Sequence, residues 1–301
     1  MAHLKFALYP GCAAQGATPE LYQSTMAIIG RLGIEVVELK AAACCGAGVV
    51  SEAEPDVALA INARTFAQAE QLGLDVMTIC GTCQGVMGSA NKRLRENAAL
   101  LARINGMISR EGLRYEGRVQ VKHLLWIVVR ELGLSRLREQ VKVPLTELRI
   151  APFYGCYILR PSWDVGFDDP ENPTSLEKVI EALGGEPVAY AGRTKCCGFP
   201  IILEKESIAM AMNGNNLKEA KDRGAQAMVT PCPLCHMSMD IYQERAAKAV
   251  KAKLDLPVLH LPQLIGLAMG IPGKQLGFGR HIVSVDEIVR IRDRKQEAVK
   301  H

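Results

Sequence analysis

Ten cysteines are the residues of this 301-residue chain whose type and spacing could do chemistry. They fall at Cys12, Cys44, Cys45, Cys80 and Cys83, then at Cys156, Cys196, Cys197, Cys232 and Cys235. Subtracting the first set from the second gives 144 once and 152 four times. Each set therefore reads C…CCG…C-x-x-C, with the same 34 residues between the pair and the motif, and none is left over. Thiols that merely fill a core as small apolar groups would not repeat in this way.

Spacing narrows the chemistry. The N-terminus runs Met1-Ala2-His3-Leu4-Lys5 straight into Phe6-Ala7-Leu8-Tyr9 with no apolar leader, so a cytoplasmic chain is expected. Thiols stay reduced there, which argues against five structural disulfides. C-x-x-C spacing then reads first as metal binding. Zinc takes four ligands in a tetrahedron, and an ordinary cubane cluster also takes four thiolates. Five donors, two of them adjacent, suit a larger or more open iron–sulfur assembly, with zinc and metal-free redox thiols as the alternatives.

The elements that must position these cysteines repeat as well. Tyr9-Pro10-Gly11-Cys12 answers to Phe153-Tyr154-Gly155-Cys156, and Cys44-Cys45-Gly46 to Cys196-Cys197-Gly198. Strand-like runs at 5–9, 35–39, 75–79 and 119–122 alternate with helical stretches such as 19–32. The second half offers strands at 149–154, 187–190, 226–230 and 257–261, with helices at 175–183 and 204–223. The expected fold is α/β: a tandem duplication of two pseudo-twofold-related parallel-sheet domains at 1–145 and 146–271, followed by a tail at 272–301. Cys12, Cys80, Cys156 and Cys232 then sit just past strand C-termini, where open parallel sheets place their sites.

With its glycines and spacing, the pattern C-x(31)-CCG-x(33)-C-x-x-C, repeated with x(39) in place of x(31), resembles the CCG domains in the B subunit of heterodisulfide reductase. The stretch from Asn216 to Lys221, and Thr230-Pro231-Cys232-Pro233-Leu234-Cys235-His236-Met237, is similar to that protein too. The resemblance covers residues 4 to about 270 and implies two non-cubane [4Fe-4S] clusters. One would be held by Cys12, Cys44, Cys45, Cys80 and Cys83, the other by Cys156, Cys196, Cys197, Cys232 and Cys235. It implies cleavage or formation of an S–S bond between them, one electron from each cluster. Two further functions stay open: a heterodisulfide reductase-like role on sulfur carried by a lipoate-binding protein, and a CCG-type electron-transfer role within a dehydrogenase. The implied partners are a ferredoxin-type protein like the reductase's C subunit and a flavin-containing protein like its A subunit. This chain has neither a G-x-G-x-x-G after its first strand nor a ferredoxin cysteine run of its own.

The rest of the sequence is quieter. A net charge of +4 from 36 basic and 32 acidic residues gives no nucleic-acid patch. No run approaches the ~18 apolar residues of a membrane span. Cys232-Pro233-Leu234-Cys235-His236 matches a haem-attachment pattern, but the first unit has Gln84 in place of the histidine. His123 and His260 occupy equivalent strand ends, as packed residues or as proton donors near a substrate. Tyr154, Tyr157 and Trp163 stand near Cys156 as cavity or packing residues. The second unit's eight extra residues lie within 160–173, a loop that could cover the site or meet a partner. The charged tail from Asp286 reads as a solvated helix.

Overall fold

The computed structural model describes residues 4–298. It contains two four-stranded parallel sheets of matching topology. In the first, β1 (Leu4–Tyr9) pairs with β2 (Ile34–Glu38) and β3 (Val76–Thr78), and β3 with β4 (Val121–His123). The order is β2-β1-β3-β4. In the second, β5 (Arg149–Pro152), β6 (Glu186–Pro187), β7 (Ala227–Thr230) and β8 (Val258–His260) take the order β6-β5-β7-β8. Phe6, Ala7, Leu8 and Tyr9 are all buried, on both faces of β1. Such continuous apolar runs are what a strand covered by helices on both sides requires.

Strand and helix crossovers set the chemistry of the edges. The connections leaving β1 and β3 run to opposite sides of the sheet, so a crevice opens beyond their C-termini. β5 and β7 repeat this in the second sheet. Helices Gly81–Glu96 and Pro233–Asp240 start directly after β3 and β7, with Cys80 and Cys232 at their N-cap positions. A proline at the first position of the second helix costs nothing, because that amide lies outside the helical ladder.

One apolar core spans both units. Leu21 and Ile28 of helix Pro19–Ile29 lie in the same cluster as Leu264 and Ile265 of helix Leu261–Ala268. The tail differs from the sequence expectation. Helix Asp286–Ala298 buries Ile288, and Val285 just before it, against this core, so one face is packed rather than solvated. The 160–173 insertion also goes elsewhere than expected. Its short helix Ser162–Val165 lies on helix Gly81–Glu96. Ser89 donates to Asp164 at 2.5 Å, Lys92 reaches the Trp163 carbonyl at 2.7 Å, and Phe167 stacks on Trp126 at 4.9 Å. The insertion straps the second unit to the first. Among the described residues no helix is long and apolar enough to cross a membrane.

Candidate metal centre

All ten cysteines reach the C-terminal edges of the two sheets. Cys12 follows β1 and Cys44-Cys45 lie in the loop after β2. Cys80 caps the helix after β3, its sulfur accepting the Cys83 amide at 3.4 Å, and Cys83 lies in the first helical turn. The second set occupies the same places around β5, β6 and β7. Gly155 shows why the loop before Cys156 needs a glycine. Its φ is +72°, and a Cβ there would stand 2.8 Å from the Cys235 sulfur.

Within the first set Cys12 and Cys44 sulfurs lie 3.6 Å apart, and Cys45 and Cys83 sulfurs 3.5 Å apart. Two thiolates on one tetrahedral ion with ~2.3 Å bonds would be about 3.8 Å apart, so these pairs are close to ligand spacing. Five soft donors at each crevice fit an iron–sulfur group better than a four-coordinate zinc. Neighbouring thiols share protons. Cys44 holds Cys45 down to about 4 and is itself held up by it. Cys156 holds Cys196 down to about 2, and Cys196 holds Cys197 up to about 12. Thiolates, the ligating form, are thus present in both sets.

The two sets touch. Cys80 and Cys232 are neighbours, Thr82 Oγ1 is 3.3 Å from the Cys232 sulfur, and the Gly81 amide donates to the Pro231 carbonyl at 3.1 Å. An unbroken row of thiols therefore runs from Cys12 through Cys44, Cys45, Cys83, Cys80, Cys232, Cys235, Cys197 and Cys196 to Cys156.

Access differs between the two ends. Cys12 and Cys44 are exposed, beside a pocket of only about 20 Å³. The second set instead lines a cleft of about 450 Å³ between the units, through Cys156, Cys197, Cys232 and Cys235. Its walls are Ile158, Phe199, Ile202, Leu203, Leu234 and Met237 from the second unit and Val49 from the first. Glu52 and Glu204 are its charged groups, and none of its lining residues is Lys, Arg or His. A larger groove of about 630 Å³, lined by Lys92, Arg95 and Arg130 among others, contains no cysteine.

Tyr154 and Tyr157 line the cleft, whereas Trp163 lies outside it, 75% exposed. His123 and His260 end β4 and β8 and lie outside the cleft as well. His123 Nδ1 accepts the Leu125 amide at 3.0 Å, Nε2 lies 3.0 Å from the Pro231 carbonyl, and burial pushes the ring down to about 4. The cleft wall had no motif in the sequence. The repeat offset alone could have flagged it, since Gly81, Thr82 and Gly85 answer to Pro233, Leu234 and Met237.

A duplicated α/β protein with a five-thiol crevice in each half is of the same class as the B subunit of heterodisulfide reductase. The chain belongs to the CCG cysteine-rich domain family, which matches residues 6–88 and 150–240. It is 40% identical, over 94% of its length and 99% of the relative's, to the 8-methylmenaquinol:fumarate reductase membrane anchor subunit of Wolinella succinogenes. It is 32% identical to a protein of Archaeoglobus profundus described as like the B subunit of heterodisulfide reductase, over 95% of this chain and 97% of that one. A hypothetical protein of Helicobacter pylori shares the fold, with a TM-score of 0.74 and 16% identity. That match covers 95% of this chain and 53% of the other.

Proposed function

We propose that this chain is the iron–sulfur subunit of an oxidoreductase complex and exchanges electrons with a quinone or quinol seated in the inter-unit cleft. Each five-cysteine set would hold one non-cubane [4Fe-4S] cluster. Such clusters supply one-electron transfer, so two in contact match a two-electron substrate. The observation that carries the reading is the cleft: apolar, free of cations, and walled by cysteines of the second set only. An anionic disulfide would find no positive partner there, whereas a neutral ring with an apolar tail would meet complementary walls. Glu52 and Glu204 stand where protons released by a quinol could leave. The exposed Cys12–Cys44 end is then the side for a redox partner, with Cys80 and Cys232 joining the two halves. The methylmenaquinol-linked relative supports the same assignment.

A second reading, S–S bond chemistry at the same thiols, draws on the heterodisulfide reductase relatives. One experiment separates the two. Protein purified without oxygen should carry about eight irons and eight acid-labile sulfides per chain. Once reduced, it should be reoxidised by a short-chain naphthoquinone and not by a small disulfide. Reoxidation by the disulfide alone would reverse the assignment, and about one zinc per five cysteines with little iron would sink both readings.

A further inference from the structure

Behind the second cysteine set lies a cluster that the cleft does not use. His236 follows Cys235 in helix Pro233–Asp240, Asp240 ends that helix, and His281 comes from the tail outside the repeat. His260 at the end of β8 and Glu20 of helix Pro19–Ile29 complete it. The side chains of His260, His281 and Asp240 are at most 2% exposed, and the whole His236 residue is equally buried. Neither nitrogen of His236 has a hydrogen-bond partner, nor has Nδ1 of His281. The Val258 carbonyl lies near His236 but outside hydrogen-bond geometry.

The first unit shows what satisfied counterparts look like. Gln84 stands at the position of His236, accepting from Thr78 at 2.7 Å and donating to the Val121 carbonyl at 2.9 Å. Buried polar groups are normally paired like this, and several bare imidazole nitrogens converging on a carboxylate call for an explanation. Ligand atoms of His236, Asp240 and His281 all lie within 4.8 Å of one another. The His236 and His281 rings cross at 84° with centroids 5.0 Å apart. Two imidazoles on one tetrahedral ion with ~2.0–2.1 Å bonds would hold their centroids roughly 5 Å apart. His260 stacks on His236 at 3.8 Å, so their in-plane lone pairs run side by side and do not converge on one ion. It pairs with Glu20 at 3.4 Å instead.

We propose that His236, Asp240 and His281 bind a mononuclear divalent transition-metal ion with zinc's preference for nitrogen and oxygen donors, separate from the thiol sites. Supporting contacts are in place. Gln263 holds Nε2 of His281 at 2.9–3.1 Å, leaving Nδ1 on the Asp240 side, 4.0 Å from its carboxylate. Asp240 is itself oriented by the Ile282 and Val283 amides at 2.8 and 3.1 Å. Outer partners of this kind fix ligand direction in metal sites. The ion would pin the tail to the second unit next to helix Pro19–Ile29 of the first.

The test uses full-length, cluster-loaded protein expressed with added zinc and purified without oxygen. Elemental analysis should find about one zinc per chain, and zinc-edge X-ray absorption should show nitrogen and oxygen at ~2.0–2.1 Å with no sulfur at ~2.3 Å. His281→Ala should retain its iron absorption and lose the zinc, with affinity down at least about 100-fold. If His281→Ala also loses its clusters, Asp240→Asn, of equal size, answers the question by the same readout. Absence of zinc, a sulfur shell, or wild-type zinc occupancy in a folded His281→Ala protein would overturn the proposal.

Discussion

The first unit turns Cys12 and Cys44 toward solvent and buries its remaining thiols, Cys80 against Cys232, whereas the second unit opens four of its five thiols into an apolar cleft. Strand order, the spacing of the last four cysteines and the helix starts after β3 and β7 are the same in both. The difference lies in a few positions beside the C-x-x-C motifs. Gly81, Thr82 and Gly85 are small enough for Cys232 and Tyr157 to approach, and Pro233, Leu234 and Met237 put bulk in the same places. A Cβ on Gly85 would lie 2.4 Å from the Tyr157 carbonyl oxygen. Duplication thus copied the cysteines, and divergence around them decided which crevice opens into a cleft.

The comparison breaks most directly at equivalent ligands. Cys83→Ser and Cys235→Ser should each lower iron and sulfide by about half, measured by colorimetric assay. Only Cys235→Ser should slow reoxidation by naphthoquinone more than about 100-fold, since it removes the site at the cleft. Equal kinetic losses would erase the distinction between the units. Next in size is the contact itself. Gly85→Ala gains helix propensity but drives a methyl into backbone, so a loss of about 1–3 kcal/mol is expected in denaturant titration. Gly88→Ala, one turn on, meets nothing nearer than Gln84 Nε2 at 3.7 Å and should be neutral or stabilising.

Much of this was written in the cysteines. The offset shared by four of their five pairs made the two units legible, and the strand-like runs before them placed both crevices correctly, because buried parallel strands carry an unmistakable apolar signal. Strand ends were less legible. β6 is expected at 187–190 and is two residues long, Glu186–Pro187, since the Val188 amide makes the last bond to β5, to the Ile150 carbonyl at 2.9 Å, and the chain then turns toward the Cys196 loop. Of the cleft, only Tyr154 and Tyr157 beside Cys156 were legible. The rest depends on how two units dock, and docking is written in single small residues such as Gly85 rather than in any periodicity. The histidine cluster was hidden for a similar reason: Glu20, His236 and His281 come from three distant segments, one outside the repeat.

Smaller effects sharpen the two ends of the comparison. Leu203 is 97% exposed and Val49 81%, on opposite walls of the cleft. Covering a leucine side chain is worth ~1.5–3 kcal/mol, so Leu203→Ser should raise the naphthoquinone half-saturation about tenfold. Its thermal midpoint should barely move, because the side chain packs on nothing in the free protein. An unchanged half-saturation would remove the substrate from this wall.

The smallest expected effect concerns Tyr154, whose first-unit counterpart is Pro10. Its hydroxyl donates to Glu177 and accepts the buried Leu176 amide at 2.8 Å, which ties the cleft wall to the start of helix Ser175–Ala182. Glu177 keeps Arg193 when that hydroxyl is removed, so the carboxylate is not orphaned. The Leu176 amide and Glu177 Oε2 lose this partner while Oε1 keeps Arg193, and Tyr154→Phe should cost about 1 kcal/mol in denaturant titration. Because the ring stays in the wall, naphthoquinone binding should hold near its wild-type value. A large loss of binding with little loss of stability would mean that the hydroxyl faces the substrate, and would move the polar end of the cleft from Glu52 and Glu204 to the thiol side.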